Sequence, residues 1–210
     1  MSTELENVID SLGQQREIDD AANRMLTDRL WPHGDGVDTP QIYAILDGAR
    51  DHRIADMVRF SGLQFMCMYS GKLSPALQQA APYIVHLSPT AELTRTLLQQ
   101  AWGQSWGMLI EAASDISMEQ LRRHFRSLQR VSTEDGTPLV FRFYDPRVLR
   151  VYLPTCTISE LAQFFGPVTK IIVEATEGAG AAMMEYRKVA QGIDTRIQKI
   201  NRIAAQAVSA

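Results

Sequence analysis

Three carboxylates and one arginine are the residues whose types and positions could do chemistry in this chain. Asp47, Glu111 and Asp145 each fall near the end of an apolar run that reads as a strand, where two of them could converge as an acid/base pair. Arg142 lies in Leu139-Val-Phe-Arg-Phe-Tyr144, whose alternation puts Leu139, Phe141 and Phe143 on one face and Val140, Arg142 and Tyr144 on the other. A charge in a strand apolar on both faces must be paired, because a lone buried one is costly. Two roles are open for it: a structural ion pair with Asp145, Asp47 or Glu111, or an anchor for a partner's carboxylate through the guanidinium fork. A nucleophile and a ligand set are missing. His33, His52, His86 and His124 have no metal-ligand spacing, and the chain has no His-Glu-x-x-His and no Cys-x-x-Cys. It has no Gly-x-Ser-x-Gly elbow and no Walker-type loop. Gly178-Ala-Gly180 lacks the helix-opening third glycine of a dinucleotide site and reads as a hairpin turn. The expectation is a protein that is not an enzyme, with no metal and no cofactor. The alternative is a small cytosolic enzyme that uses Asp47, Arg142 and Asp145 on a metabolite.

Binding surfaces are the other source of chemistry. Arg122, Arg123, Arg126 and Arg130 stripe one face of a segment whose other face carries Leu121, Phe125 and Leu128. Glu119 and Arg123 have the favourable i,i+4 spacing, so a solvated face is the plain reading, and an acidic partner is the other. No aromatic set interleaves with these arginines, which argues against nucleic acid. Trp102 and Trp106 flank Gly103 at a helix-to-strand junction, where core packing competes with a protein-binding hot spot. His86 and His124 sit in apolar company and read as satisfied structural histidines. The candidate partner-binding residues are thus Arg122, Arg126, Arg142, Asp145, Arg147, Trp102 and Trp106.

The elements that must hold these residues follow from periodicity and punctuation. Residues 3–30 read as helix and 31–40 as a Gly- and Pro-rich linker. Strands are expected at 41–46, 64–69, 83–87, 106–112, 139–144, 169–174 and 182–186. Helices are expected at 49–60, 90–101, 117–130, 146–152 and 157–165. Ser117-Met-Glu-Gln120 and Thr157-Ile-Ser-Glu160 both match the capping box, and Asp145-Pro146 supplies an N-cap followed by proline at the first helical position. Val189, Ile193, Ile197, Ile200 and Ala204 then read as the stripe of a last helix over 187–208. The fold class is mixed α+β, a mixed sheet with flanking helices, forming one core or two small lobes sharing one. The division is a helical segment and linker (1–40), an α/β domain (41–186) and a C-terminal helix (187–210). Self-association through the terminal helices is a further expectation, and with it a structural homo-oligomer as a third reading.

Bulk properties narrow the class. With 210 residues, 45% hydrophobic, the chain can bury a substantial core. A net charge of −3 does not suit a general nucleic-acid binder. Cys67 and Cys156 are too few for a disulfide framework and read as buried free thiols of a reducing cytoplasm. The acidic start lacks a signal-peptide pattern, and no apolar run spans a bilayer, so a soluble cytoplasmic protein without membrane contact is expected.

One set of residues also carries a resemblance. Phe141-Arg-Phe-Tyr-Asp-Pro-Arg-Val-Leu149, followed by Phe164-Phe-Gly-Pro-Val168, resembles the signature of the bacterial type VI secretion effector adaptor (chaperone) family, long catalogued as a domain of unknown function. Ile42-Tyr-Ala-Ile-Leu-Asp47, Ala81-Pro-Tyr-Ile-Val-His-Leu87, Trp102-Gly-Gln-Ser-Trp-Gly107 and Leu121-Arg-Arg-His-Phe-Arg126 occur in the order such domains show. The matching pieces run from about Gln41 to Val168. The resemblance implies a non-enzymatic adaptor. It would hold a toxic effector by its N-terminal region and help load it on the valine-glycine repeat (VgrG) spike protein.

Overall fold

The computed structural model describes residues 22–32, 39–132, 135–177 and 180–200. Nine strands form a seven-stranded antiparallel sheet and a two-stranded ribbon. They are β1 (Gln41–Asp47), β2 (Phe65–Cys67), β3 (Pro82–His86), β4 (Gly107–Ala112), β5 (Arg130–Ser132), β6 (Pro138–Val140), β7 (Val168–Glu177), β8 (Gly180–Val189) and β9 (Gly192–Ile200). The sheet runs β2-β3-β1-β4-β7-β8-β9, and β5 pairs with β6 apart from it. The described helices are α1 (residues 22–30), α2 (Ile54–Arg59), α3 (Pro75–Ala80), α4 (Glu92–Thr96, continued as a π turn to Ala101), α5 (Met118–Leu128), α6 (Pro146–Tyr152) and α7 (Ile158–Phe165). The class is mixed α+β, as the sequence indicates.

Helices cover both faces of the sheet. Ile42, Ala44 and Leu46 of β1 face α1, α2 and α4, while Tyr43 and Ile45 face α5, α6 and α7. Burial on both sides explains why the central strands read as continuous apolar runs although they are antiparallel. Gly107 marks a close approach in the middle, since a Cβ there would overlap the carbonyl oxygen of Ile45 on the neighbouring strand. Both capping boxes are formed, at Ser117/Gln120 and Thr157/Glu160. Asp145 caps α6 through a hydrogen bond from Arg147 N, with Pro146 in the first turn.

Four expectations are corrected. The helix read over 187–208 is not formed in its described part. β8 and β9 occupy 187–200, with Val189 opposite Gly192, so the segment completes the sheet. Residues 201–210 lie outside the described residues. The strand read over 139–144 stops at Val140. Phe141 N closes the β5–β6 ladder on Gln129 O at 2.9 Å, and Asp145 N bonds Arg142 O at 3.0 Å as the corner begins. Arg142 is therefore not enclosed on both faces; its side chain is 41% exposed. The helix read over 49–60 starts only at Ile54, because Asp47 first holds a turn through Ala49 N and Arg50 N. Cys67 and Cys156 are free but half-buried rather than enclosed.

Of the helix read over 3–30, residues 22–30 are described and dock on the first face. Leu26 is fully buried there, and the Arg29 guanidinium grips the buried Glu185 carboxylate at 2.7 and 3.0 Å. That hydrogen-bonded pairing raises the Arg29 pKa against the opposing effect of burial. No helix among the described residues is long and apolar enough to cross a membrane.

Candidate functional site

The residues singled out from the sequence fall into three places. Asp47 ends β1 on the second face and is 1% exposed. Its Oδ2 accepts from Arg142 Nη2, and its Oδ1 accepts from Ala49 N at 3.1 Å. Arg142 has thus taken one of the three carboxylates open to it. Burial works against its charge, but the hydrogen bond and field of Asp47 leave its pKa raised. Tyr144 lies beside the pair with its hydroxyl on Tyr69. Burial and then the Asp47 charge push both tyrosines up, Tyr144 further than Tyr69, which favours the neutral phenols.

Asp145, 3% exposed, forms a second knot. Its oxygens accept from Arg147 Nε at 3.0 Å, Nη2 at 2.6 Å and N at 3.0 Å. Burial alone would raise its pKa; the Arg147 bonds outweigh burial and hold it below the usual range. The third carboxylate read from the sequence, Glu111, pairs with Lys170 on the neighbouring strand instead. Glu174, which the sequence did not bring forward, plays a matching part. It collects Gly103 N at 2.6 Å, Ser105 N at 2.8 Å and Ser105 Oγ at 3.0 Å, fixing the loop between the tryptophans. That loop sets Trp106 in the first core, 6% exposed, with the Arg53 guanidinium 5.5 Å from the ring centroid. Trp102 packs against the same core and donates Nε1 to Ala182 O at 3.3 Å. Trp102 and Trp106 therefore sit in the layer opposite Asp145 and Arg147.

The third place is an open cleft of about 730 Å³ between α5 and the segment that follows β2. Its apolar surface comes from Met66, Tyr69, Leu73 and Val140, with the fully buried Met68 beneath them. Arg122, Arg123, Arg126 and Arg130 stand along it, with Glu119 the one carboxylate in the lining. Two of these arginines build the wall. Arg122 donates to Cys67 O at 2.6 Å and Tyr69 O at 3.0 Å, and Arg126 donates to Ser70 Oγ at 2.6 Å. Tyr69 joins the cleft to the Asp47–Arg142 pair through Tyr144. Met66, half-buried on the edge strand, was the unused sequence signal, since a flexible thioether suits an adaptable surface.

His86 and His124 are satisfied. His86 stacks on Tyr43 at 4.7 Å and bonds Gln41 Oε1 at 2.8 Å, and His124 Nε2 donates to Phe164 O at 2.8 Å. No group of three or more metal-ligating side chains occurs among the described residues.

The architecture is an antiparallel sheet covered on both faces, with arginine–carboxylate knots at the end of β1 and the start of α6 and an open, arginine-edged cleft. Residues 42–163, more than half of the chain, match the family described as "Domain of unknown function (DUF4123)". The chain belongs to that family, which is associated with type VI secretion. No curated protein and no solved structure matches it.

Proposed function

We propose that this protein is a type VI secretion adaptor. It binds a segment from the N-terminal region of a toxic effector and promotes loading of that effector onto a VgrG-type spike. The observation that carries the reading is the open cleft beside the β2 edge, with Met66, Tyr69, Leu73 and Val140 at its surface, in a chain of a family associated with this secretion system. Such a surface suits a helix laid in a groove, where anchors at i, i+3, i+4 and i+7 provide contact without an enclosed pocket. An adaptor must also release its cargo, and an open cleft permits a hand-off. On this reading the protein is not an enzyme and acts in the cytoplasm before secretion.

The test is affinity capture from the native bacterial lysate with the full chain as bait. Parallel baits carry Leu73→Glu in the cleft, and Lys188→Ala on the exposed part of β8 as a control, each first shown to fold by circular dichroism. Recovery of both a spike protein and a toxin-like polypeptide, with the polypeptide lost from the Leu73→Glu bait, is the expected result. A folded wild-type bait that recovers neither overturns the reading.

A further inference from the structure

The cleft has a chemical preference that the adaptor reading alone does not specify. α5 presents its arginines because Met118, Leu121 and Phe125 are drawn into the second core, leaving the polar face of the helix towards the cleft. Arg122 and Arg126 are committed to the carbonyls and hydroxyl of residues 67–70. The guanidinium groups of Arg123 and Arg130 have no hydrogen-bond or ion-pair partner among the described residues, and Glu119 forms no ion pair with Arg123 despite the spacing. With Glu119 the one carboxylate beside four arginines, the lining of the cleft carries a net positive charge.

The apolar surface of the same cleft comes from Met66, Tyr69, Leu73 and Val140, the last of them 58% exposed. Apolar surface and two unpaired guanidinium groups thus share one open space.

We infer that the cleft takes an acidic amphipathic polypeptide segment, its apolar stripe on Met66, Leu73 and Val140 and its carboxylates on Arg123 and Arg130. This rests on the adaptor reading and narrows its cargo contact to one chemistry. Charge complementarity at an open rim acts mainly on encounter and selectivity, while the apolar surface supplies most of the contact. The selectivity must weaken with added salt, because the Debye length falls from about 10 Å at 0.1 M to about 3 Å at 1 M.

The test titrates the full chain with two fluorescent synthetic helical peptides that share one Leu/Met stripe. One carries Glu and the other Lys at every polar position. The acidic peptide is expected to bind at least about tenfold more tightly in dilute buffer, with the difference collapsing in high salt. An Arg123→Glu/Arg130→Glu variant is expected to reverse the preference. These side chains are exposed or unpaired, so the variant folds, which circular dichroism checks. Equal binding of the two peptides, or a preference that survives the double charge reversal, overturns the inference. Lysate capture of spike and toxin would be unaffected by that failure, so the two results separate the cargo chemistry from the adaptor reading itself.

Discussion

Gly166 and Arg142 show what the signature residues do at the scale of single side chains. Gly166 closes α7 with φ of +50° and ψ of −117°, a conformation open to glycine, and a Cβ on it would overlap the imidazole of His124. Gly166→Ala should cost about 2–4 kcal/mol, combining backbone strain with overpacking; chemical denaturation measures it, and a loss under about 0.5 kcal/mol would contradict the clash. His124 follows the same packing. Burial lowers its pKa against the opposing bond to Phe164 O, so the folded state prefers the neutral ring. Its stabilising contribution is complete above the ordinary histidine value of 6.5 and is lost as pH falls below that towards the folded pKa. Unfolding midpoints measured from pH 7.5 down to 5 should decline more steeply for the wild type than for His124→Gln. Arg142→Ala strands the buried Asp47 carboxylate and should cost about 2 kcal/mol, less than a fully enclosed pair because the guanidinium is half-exposed. Adding Asp47→Asn should recover part of that loss, and a purely additive double variant would show that the pair is not coupled.

Elements were legible where capping chemistry fixed them and illegible where only apolar spacing did. Ser117, Thr157 and Asp145 each bond the backbone of the turn they open, a local interaction that the sequence states outright. The β8–β9 hairpin lacked such a marker. Val189, Ile193 and Ile197 are four apart, a spacing that repeats on one helix face and equally at even positions along a strand. The deciding evidence was elsewhere: Gly192 has φ of +137° and ends a tight turn, and Ile193, Thr195, Ile197 and Ile200 are β-branched. The strand at β6 was read too long for another reason. Phe141 and Phe143 alternate with Arg142 and Tyr144 as in a strand, but the aromatic rings fill a mostly edge-to-face cluster with Phe125, Tyr152 and Phe164. The cleft was least legible of all, because its two walls, residues 66–73 and α5, are about 50 positions apart and are tied by the Arg122 and Arg126 bonds and by the second core beneath them. α1 is an element whose docking can be tested directly. Leu26 is fully buried among first-face residues, so Leu26→Ala should destabilise the protein by about 2–5 kcal/mol in equilibrium denaturation. A near-zero effect would mean that α1 is an appendage.

At the scale of the whole molecule, the question is whether two cores on one sheet behave as one unit or as two. The strands are shared: β1, β4 and β7 each send alternate residues into the first and second cores, so neither face can lose its order without disturbing the other's backbone. Coupling of that kind favours a single cooperative transition. The chain carries its own reporters for this. Trp31, Trp102 and Trp106 all belong to the first core, whereas Phe143 is fully buried in the second. Phe143→Ala should lower stability by about 3–5 kcal/mol. If the sheet couples the cores, tryptophan fluorescence on the far face must report that whole loss, with the same midpoint as far-ultraviolet circular dichroism. A fluorescence transition left at its wild-type midpoint would instead show two lobes that unfold separately. The cleft belongs to the second face, so the same comparison also says whether cargo bound there can stabilise α1 and the tryptophan loop on the other side.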